Sequence, residues 1–434
     1  MHILVVHQYF LGKNDAGGSR WNQFAKYWSQ KGHQVTVLAG SVHYATGKKL
    51  PQYKGKFVVK EQESENVRVF RCHVSESYNK SFLGRFWAYL SFTFSSLWAG
   101  LFRAGKCDAI ICTSPPLTVG MTGWLLSKLK RIPMVFEVRD LWPESAIDTG
   151  VLTSRPLIKM SYWLEKKSYH SANWINVLTP AFKEALINQK NIKPDRISMI
   201  PNGADLDIFK PGERNNWVRK KHNLGDKFVI TYVGAHGVAN HLIQLLETAR
   251  LLKDQSDILI MLVGDGMEKS MLKEKAAQWE LGNILFVDSV SKDVIVDYVA
   301  ASDVCTAVLK KIDTFKTVYP NKVFDYMSAA RPIILAIDGV ARKLVEDSEA
   351  GIYVEPENPL LFVEAILKLK QDEHFCLNCG KKGLDFVTRN YARNILAEKY
   401  LDIISQKVIP HKKEKAVNKK SFFNKAGQVP KKVS

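Results

Sequence analysis

Tyr319-Pro320-Asn321-Lys322-Val323-Phe324-Asp325-Tyr326-Met327 continues through Ser328-Ala329-Ala330-Arg331-Pro332 into the apolar run Ile333-Ile334-Leu335-Ala336. The leading proline predicts a helix start, Arg331-Pro332 ends the helix, and the branched residues after it read as a buried strand. A helix feeding such a strand is the repeating unit of a parallel α/β sheet, where helix starts and strand carboxyl ends face ligands. Backbone N–H groups at the helix start and the Lys322 ammonium suit a diphosphate. Asp325, one turn further on the same face, suits ribose or sugar hydroxyls. In isolation the same Lys and Asp are equally an i,i+3 surface pair, so the rest of the chain has to decide.

A chain of 434 residues with 46% hydrophobic content is long enough for two domains, each with its own core. Strand-like runs at His2 to His7, Gln34 to Ala39, Val67 to Cys72, Asp108 to Thr113, Met134 to Val138 and Trp174 to Leu178 alternate with helical stretches. The rhythm returns at Phe228 to Val233, Ile258 to Val263, Ile284 to Val287, Val304 to Val308, Ile333 to Ile337 and Gly351 to Val354. Ile200-Pro-Asn-Gly-Ala-Asp-Leu-Asp-Ile-Phe-Lys-Pro211 reads as the hinge. The expected fold is α/β, with two Rossmann-like domains facing across a cleft. Residues 1–200 form the first, 201–390 the second, 391–409 a helix packing back toward the first, and 410–434 a basic disordered tail.

Ligands in such sheets bind beyond the strand carboxyl ends. After the first strand, Gly17 and Gly18 open a helix whose free N–H groups can meet a phosphate or an acceptor hydroxyl, although a Gly-Gly pair is equally an ordinary turn. Glu137-Val-Arg139-Asp140-Leu-Trp-Pro-Glu144 places four charges at a strand end, either lining the cleft or closing a salt-bridge network around Arg139. Gly234, Gly237, Gly264, Asp265 and Gly266 end two strands of the second half with glycine turns that let a backbone approach a ligand.

The formal charge of +19 is concentrated toward the end, where Lys407 to Ser434 holds nine lysines and one glutamate. The uncharged segment Phe86 to Phe102, framed by Lys80, Arg85, Arg103 and Lys106, is too short to span a bilayer. It reads as a core helix or as an interfacial helix whose aromatics and flanking cations meet lipid headgroups. With no zinc-finger spacing or RNP-like strand, the charge favours a membrane surface over nucleic acid. Met1-His-Ile-Leu-Val-Val-His7 is too short an apolar run for a signal peptide and is expected to start inside the fold. The six cysteines are scattered, most of them in strand-like runs, which suits reduced thiols, and His374-Phe-Cys376-Leu-Asn-Cys379 lacks the second pair a zinc site needs. No metal and no bound cofactor are expected.

Gly17-Gly18, Ile200-Pro-Asn-Gly-Ala-Asp205, Val263-Gly-Asp-Gly266 and Pro320-Asn-Lys-Val-Phe-Asp-Tyr-Met327, in this order and spacing, resemble a family-four retaining glycosyltransferase of the GT-B fold over residues 1 to about 405. Glu137-Val-Arg-Asp-Leu-Trp-Pro-Glu-Ser145 resembles the WbuB-like subgroup, associated with O-antigen and capsule assembly and with fucosamine transfer. The resemblance implies a nucleoside diphosphate sugar as donor, UDP-linked and carrying an N-acetylated amino sugar. It also implies a polyprenyl-diphosphate-linked glycan as acceptor, at the cytoplasmic face of the inner membrane, without nucleic acid. It puts Gly234 and Gly237 near the diphosphate and Gly264, Asp265 and Gly266 near the nucleoside. Lys322 falls on the diphosphate beside Asn321, Asp325 on the ribose, and Gly17, Gly18 and Glu144 on the acceptor side. Arg139, Asp140 and Lys322 are the implied catalytic set.

Two positions depart from the family pattern. The paired glutamates eight apart are here Thr317 and Asp325, and Arg139-Asp140 stands where many members have His-Asp. A sugar-nucleotide 2-epimerase on the same two lobes, and a non-catalytic protein binding polyanions or nucleotide sugars, are the rival readings.

Overall fold

The computed structural model describes residues 1–12, 20–42, 47–77, 82–148 and 150–409, so Gly17, Gly18 and the tail from 410 lie outside the described residues. The first lobe carries β1 (His2–Val6), β2 (Gln34–Gly40), β3 (Val58–Ser64), β4 (Val67–Cys72), β5 (Ala109–Ser114), β6 (Met134–Val138), β7 (Trp174–Val177) and β8 (Ile197–Met199). They form one sheet in the order β3-β4-β2-β1-β5-β6-β7-β8, parallel except where β3 runs antiparallel to β4. The second lobe carries β9 (Phe228–Val233), β10 (Ile258–Val263), β11 (Ile284–Val287), β12 (Val304–Val308), β13 (Ile333–Ala336) and β14 (Gly351–Tyr353). These form a six-stranded parallel sheet in the order β11-β10-β9-β12-β13-β14. Central strands such as β5, β10 and β13 are buried along their whole length because helices cover both faces, and so they read as unbroken apolar runs.

Sequence reasoning missed two strands. In β3, Val58-Val-Lys-Glu-Gln-Glu-Ser64 is polar because it is an edge strand with half its residues in water. β8 is three residues long and gives no periodicity of its own.

One face of the first sheet is covered by the helices Phe82–Phe102, Val119–Lys130 and Arg155–Ser171, whose apolar sides share a core with Leu4, Leu38, Cys112 and Phe136. They approach closely at glycines: a Cβ on Gly100 would lie 2.5 Å from Leu126, and one on Gly120 would strike the Ser168 hydroxyl. The opposite face is covered by the helices Arg20–Gln30 and Arg393–Ile403, the second of which returns from the far lobe. Trp28 Nε1 donates to the Ala397 carbonyl (2.9 Å), and the Trp28 and Tyr400 rings lie 5.9 Å apart. The outgoing and returning chains run side by side, with Ala204 N donating to Tyr391 O (2.7 Å) and Arg393 N to Ala204 O (3.2 Å).

Trp28 is fully buried in this helix–helix contact. Trp28→Ala is expected to lower the stability of the first lobe by about 3–5 kcal/mol, read as an earlier denaturation midpoint.

Candidate functional site

In the second lobe three segments converge at the carboxyl ends of β9 and β10. Gly234 follows β9 with φ +150°, and Gly264 follows β10 with φ +148°, both in the region that favours glycine. A Cβ on Gly264 would lie 1.9 Å from the Gly234 carbonyl, so no larger residue fits while the two turns touch. The turns are locked by His236 N donating to Asp265 O (2.8 Å) and Glu268 N to His236 O (2.9 Å). Asp265 is exposed and accepts from Gly266 N (2.8 Å), so its carboxylate shapes its own turn. Gly237 sits in open space beside Asn240.

The helix Asn321–Ser328 starts against these turns. Pro320 supplies no side-chain cap, which leaves the first N–H groups of the helix open toward the cleft. Lys322 Nζ lies 3.8 Å over the Tyr232 ring, beside Gly234, where a Cβ would come within 2.7 Å of the ammonium. Burial pulls its pKa down to about 7, and Asp325 only partly opposes this. Burial likewise pushes Asp325 up to about 6, against the field of Arg393 and Lys292. Lys322 and Asp325 are not in ion-pair contact, so the surface-pair alternative does not describe them. Asn321 Oδ1 accepts from Asn202 Nδ2 (2.7 Å) across the linker. Thr317 Oγ1 donates to the Thr314 carbonyl (2.7 Å), while its own carbonyl accepts from Thr179 Oγ1 of the first lobe (2.8 Å). The Thr317 hydroxyl is thus committed to its own turn.

Across the cleft, Glu137 at the end of β6 is fully buried and pairs with Arg20, not with Arg139. Arg139 is half-buried with its Nε unpartnered, and burial lowers its pKa. Among the described residues it closes no salt bridge. Asp140 accepts from Ser145 Oγ (3.0 Å), and burial raises its pKa. Glu144 turns to Lys190, which also holds Glu165 (2.9 Å), so one oxygen of this acceptor-side candidate is already engaged by a lysine.

Several groups here escaped sequence reasoning. Arg20 donates to the Ile200 and Pro201 carbonyls (both 2.6 Å), and Asp205 is held by Lys292 (2.8 Å) and Arg393 (3.3 Å). His236 is fully buried, and burial followed by the nearby Lys269 brings its pKa down to about 4. These partners lie far apart in sequence, and no local spacing announces them. Among the described residues no group of three or more His, Cys, Asp or Glu side chains is placed to hold a metal.

Residues 16–203 match the family model of the glycosyl transferase 4-like domain, and residues 227–372 that of glycosyl transferases group 1. The chain carries glycosyltransferase family domains in both lobes, in the GT-B arrangement. It is 24% identical over 309 residues to a D-inositol 3-phosphate glycosyltransferase of Corynebacterium kroppenstedtii, covering 67% of this chain and 66% of that one. The matched stretch spans just under two thirds of the corynebacterial relatives. It is 25% identical over 303 residues to the UDP-Gal:alpha-D-GlcNAc-diphosphoundecaprenol alpha-1,3-galactosyltransferase of Escherichia coli, covering 66% of this chain and 74% of that one. The fold superposes on sucrose-phosphate synthase from Thermosynechococcus elongatus with a TM-score of 0.72 at 16% identity, over 93% and 98% of the two chains.

A lysine brought down to about 7 from its ordinary 10.5 costs folding free energy. Its folded pKa lies below the unfolded one, so stability rises with pH through that window, and the cost is largest near and below pH 7. Lys322→Met is expected to raise Tm by a few degrees at pH 7, a gain that shrinks toward pH 10. Calorimetric melts at several pH values check this.

Proposed function

We propose that the protein is a retaining glycosyltransferase that moves a sugar from a nucleoside diphosphate donor to a lipid-linked glycan acceptor. The observation that carries the reading is Lys322, a half-buried ammonium without a carboxylate partner among the described residues, set between an uncapped helix start and two glycine turns. A desolvated cation facing open backbone N–H groups is the chemistry of a diphosphate site. In this reading residues 201–390 hold the donor, and residues 1–200 the acceptor. The 391–409 helix ties the lobes, and the tail from 410 adds positive charge. The diphosphate lies along Gly234, Gly237, Asn321 and Lys322, the nucleoside along Gly264, Asp265 and Gly266, and the ribose on Asp325.

On transfer, the bond between the anomeric carbon and the diphosphate breaks. Lys322 and the helix start take up the charge that develops on the leaving oxygens without reorganising, which is where such sites gain most of their rate. In this reading Arg139 and Asp140 serve this point from the first lobe. Arg139 would hold an anionic or hydroxyl-rich group, and Asp140, its pKa raised by burial, would accept a hydrogen bond or proton from the acceptor. Thr317 leaves the donor sugar without the first glutamate of the family pair, and in this reading Arg139 compensates.

The Escherichia coli relative, named for transfer from UDP-galactose to GlcNAc-diphosphoundecaprenol, supports a UDP donor and a polyprenyl-diphosphate acceptor. The Glu137 to Ser145 string favours an N-acetylated amino sugar of the fucosamine type, in O-antigen or capsule assembly. The protein would act at the cytoplasmic face of the membrane as a peripheral partner. No helix among the described residues is long and apolar enough to cross it.

Nucleotide release from a panel of UDP-, GDP- and dTDP-sugars, with and without lipid extract and EDTA, tests the proposal. Lipid-dependent, EDTA-insensitive release from one UDP-sugar is expected, with Lys322→Ala slower by about a hundredfold or more. Silence across the panel with tight binding to anionic polymers would favour the polyanion-binding alternative.

A further inference from the structure

The helix Phe82–Phe102 carries an apolar stripe beside its core-facing side. Trp87, Leu90, Phe94, Trp98 and Phe102 recur at helical spacing, and Trp87, Phe94 and Phe102 are 55%, 62% and 69% exposed. Large apolar residues contiguous on one face of a helix, without a charge among them, are unusual on a surface meant for water. Sequence reasoning left this helix either core or interfacial. In the structure it has both characters: Ala88, Phe92 and Ala99 fill the core, Trp98 packs partly against it, and Trp87, Phe94 and Phe102 are exposed.

The rim of the stripe is cationic. Beside it, the edge strand β3 and the end of the helix enclose a groove of about 560 Å³ lined by Lys56, Phe57, Lys60, Arg68, Trp98 and Arg103. The Phe57 and Trp98 rings meet edge-on at 5.7 Å, and the Arg103 guanidinium lies 5.4 Å from the Trp98 ring centre. Lys56, Lys60 and Arg103 pair with no carboxylate among the described residues. The surface continues across the neighbouring helices on the same side of the sheet. Leu129 is 62% exposed next to Lys128, and Trp163 is 58% exposed between Lys159 and Lys166. Aromatic and aliphatic side chains interleaved with unpaired lysines and arginines match the boundary of an anionic bilayer, where rings enter the acyl margin and cations meet phosphates.

We infer that the outer face of the helices Phe82–Phe102, Val119–Lys130 and Arg155–Ser171 docks on an anionic lipid surface, with the Lys56–Lys60–Arg103 groove receiving a lipid phosphate. The charge pattern selects this occupant over a second copy of the chain, because a symmetric contact would set one ring of cations against another. The aromatic stripe sets it apart from a polyphosphate in water, which would leave the rings exposed. The inference rests on the peripheral-membrane part of the reading above and adds which surface carries it. The first lobe would then lie on the bilayer, bringing its acceptor side to a lipid-linked substrate while the donor lobe stays in water.

Sedimentation of the full chain with phosphatidylglycerol-containing vesicles, against pure phosphatidylcholine vesicles, tests it. Binding is expected to the anionic vesicles and to fall with salt. Trp87→Ser with Phe94→Ser, and separately Lys60→Glu with Arg103→Glu, should each weaken it at least about tenfold. All four residues are on the surface, so unchanged melting temperature and unchanged UDP affinity are the folding and donor-site controls. Hydrogen exchange on the vesicles should slow in residues 86–103 and in Arg155–Ser171. Undiminished binding of both variants, which keep the lysine-rich tail, would overturn the inference, as would a wild-type chain that ignores anionic vesicles. Neither result would bear on whether UDP-sugars are turned over, so failure of the docking face and failure of the transferase reading are separable.

Discussion

The guanidinium of Arg20 is the point on which the junction of the lobes depends. A buried charge is tolerated only when its partners replace water, and both terminal nitrogens of Arg20 have them, while its Nε has none among the described residues. Glu137 from the end of β6 meets it, the Ile200 and Pro201 carbonyls of the linker accept from it, and the rings of Phe24 and Tyr400 pack 5.0 and 5.9 Å from its centre. One side chain thereby ties together the first helix, a central strand, the connection between lobes and the returning carboxyl-terminal helix. Asn176 reinforces the knot by donating to Glu137 (3.2 Å) and to the Ile200 carbonyl (3.3 Å). Beside it, burial, followed by the fields of Arg139 and Arg20, pushes the His7 pKa well below the ordinary imidazole range. A second layer continues the tie into the donor lobe, since Arg393 donates to the Asn202 carbonyl (3.2 Å), Gln23 (2.8 Å) and Asp205. The two halves of the cleft are therefore set against each other by charge pairs that are nearly complete.

Against that completeness, Lys322 stands out. It is half-buried where the junction residues are almost fully enclosed, and its close neighbours are an aromatic face and glycine turns in place of a carboxylate. A fold optimised only for stability would have matched it or replaced it with an apolar residue. The unmet charge is a stability cost held at one point of the cleft, where strain and perturbed pKa values accompany function. The glycines serve the same end, because the Gly234 and Gly264 turns come so close that the backbone itself forms the wall of the site.

Most of the fold was legible because it is a parallel sheet. Strands buried on both faces leave unbroken apolar runs, and the twelve expected from the sequence all lie in the two sheets. The antiparallel edge β3 was not legible, since its lysine and glutamates are what an edge strand shows to water. In the site, Lys322, Asp325 and the glycine turns could be read because they sit just past strand ends or at a helix start. Glu137 was seen as a charged residue, but its partner was not, since Arg20 reaches it across 117 positions. Glu144 looked like a cleft acid, and Lys190, in the turn just after the helix Pro180–Asn188, takes it up. Spacing along the chain reveals which side chains share a helix face; it carries no information on which distant charge will meet them.

The measurement that tests the central claim most directly is the pH dependence of UDP affinity, by titration calorimetry, for the wild type and Lys322→Met. Lys322, at about 7 in the empty protein, must carry its proton to hold a diphosphate, and the bound anion raises its pKa further. Binding then takes up a proton above pH 7. Wild-type affinity is predicted to fall by up to about tenfold per pH unit above that point, with a slope the variant lacks. Parallel pH profiles in the two proteins, with equal affinity, would contradict the account.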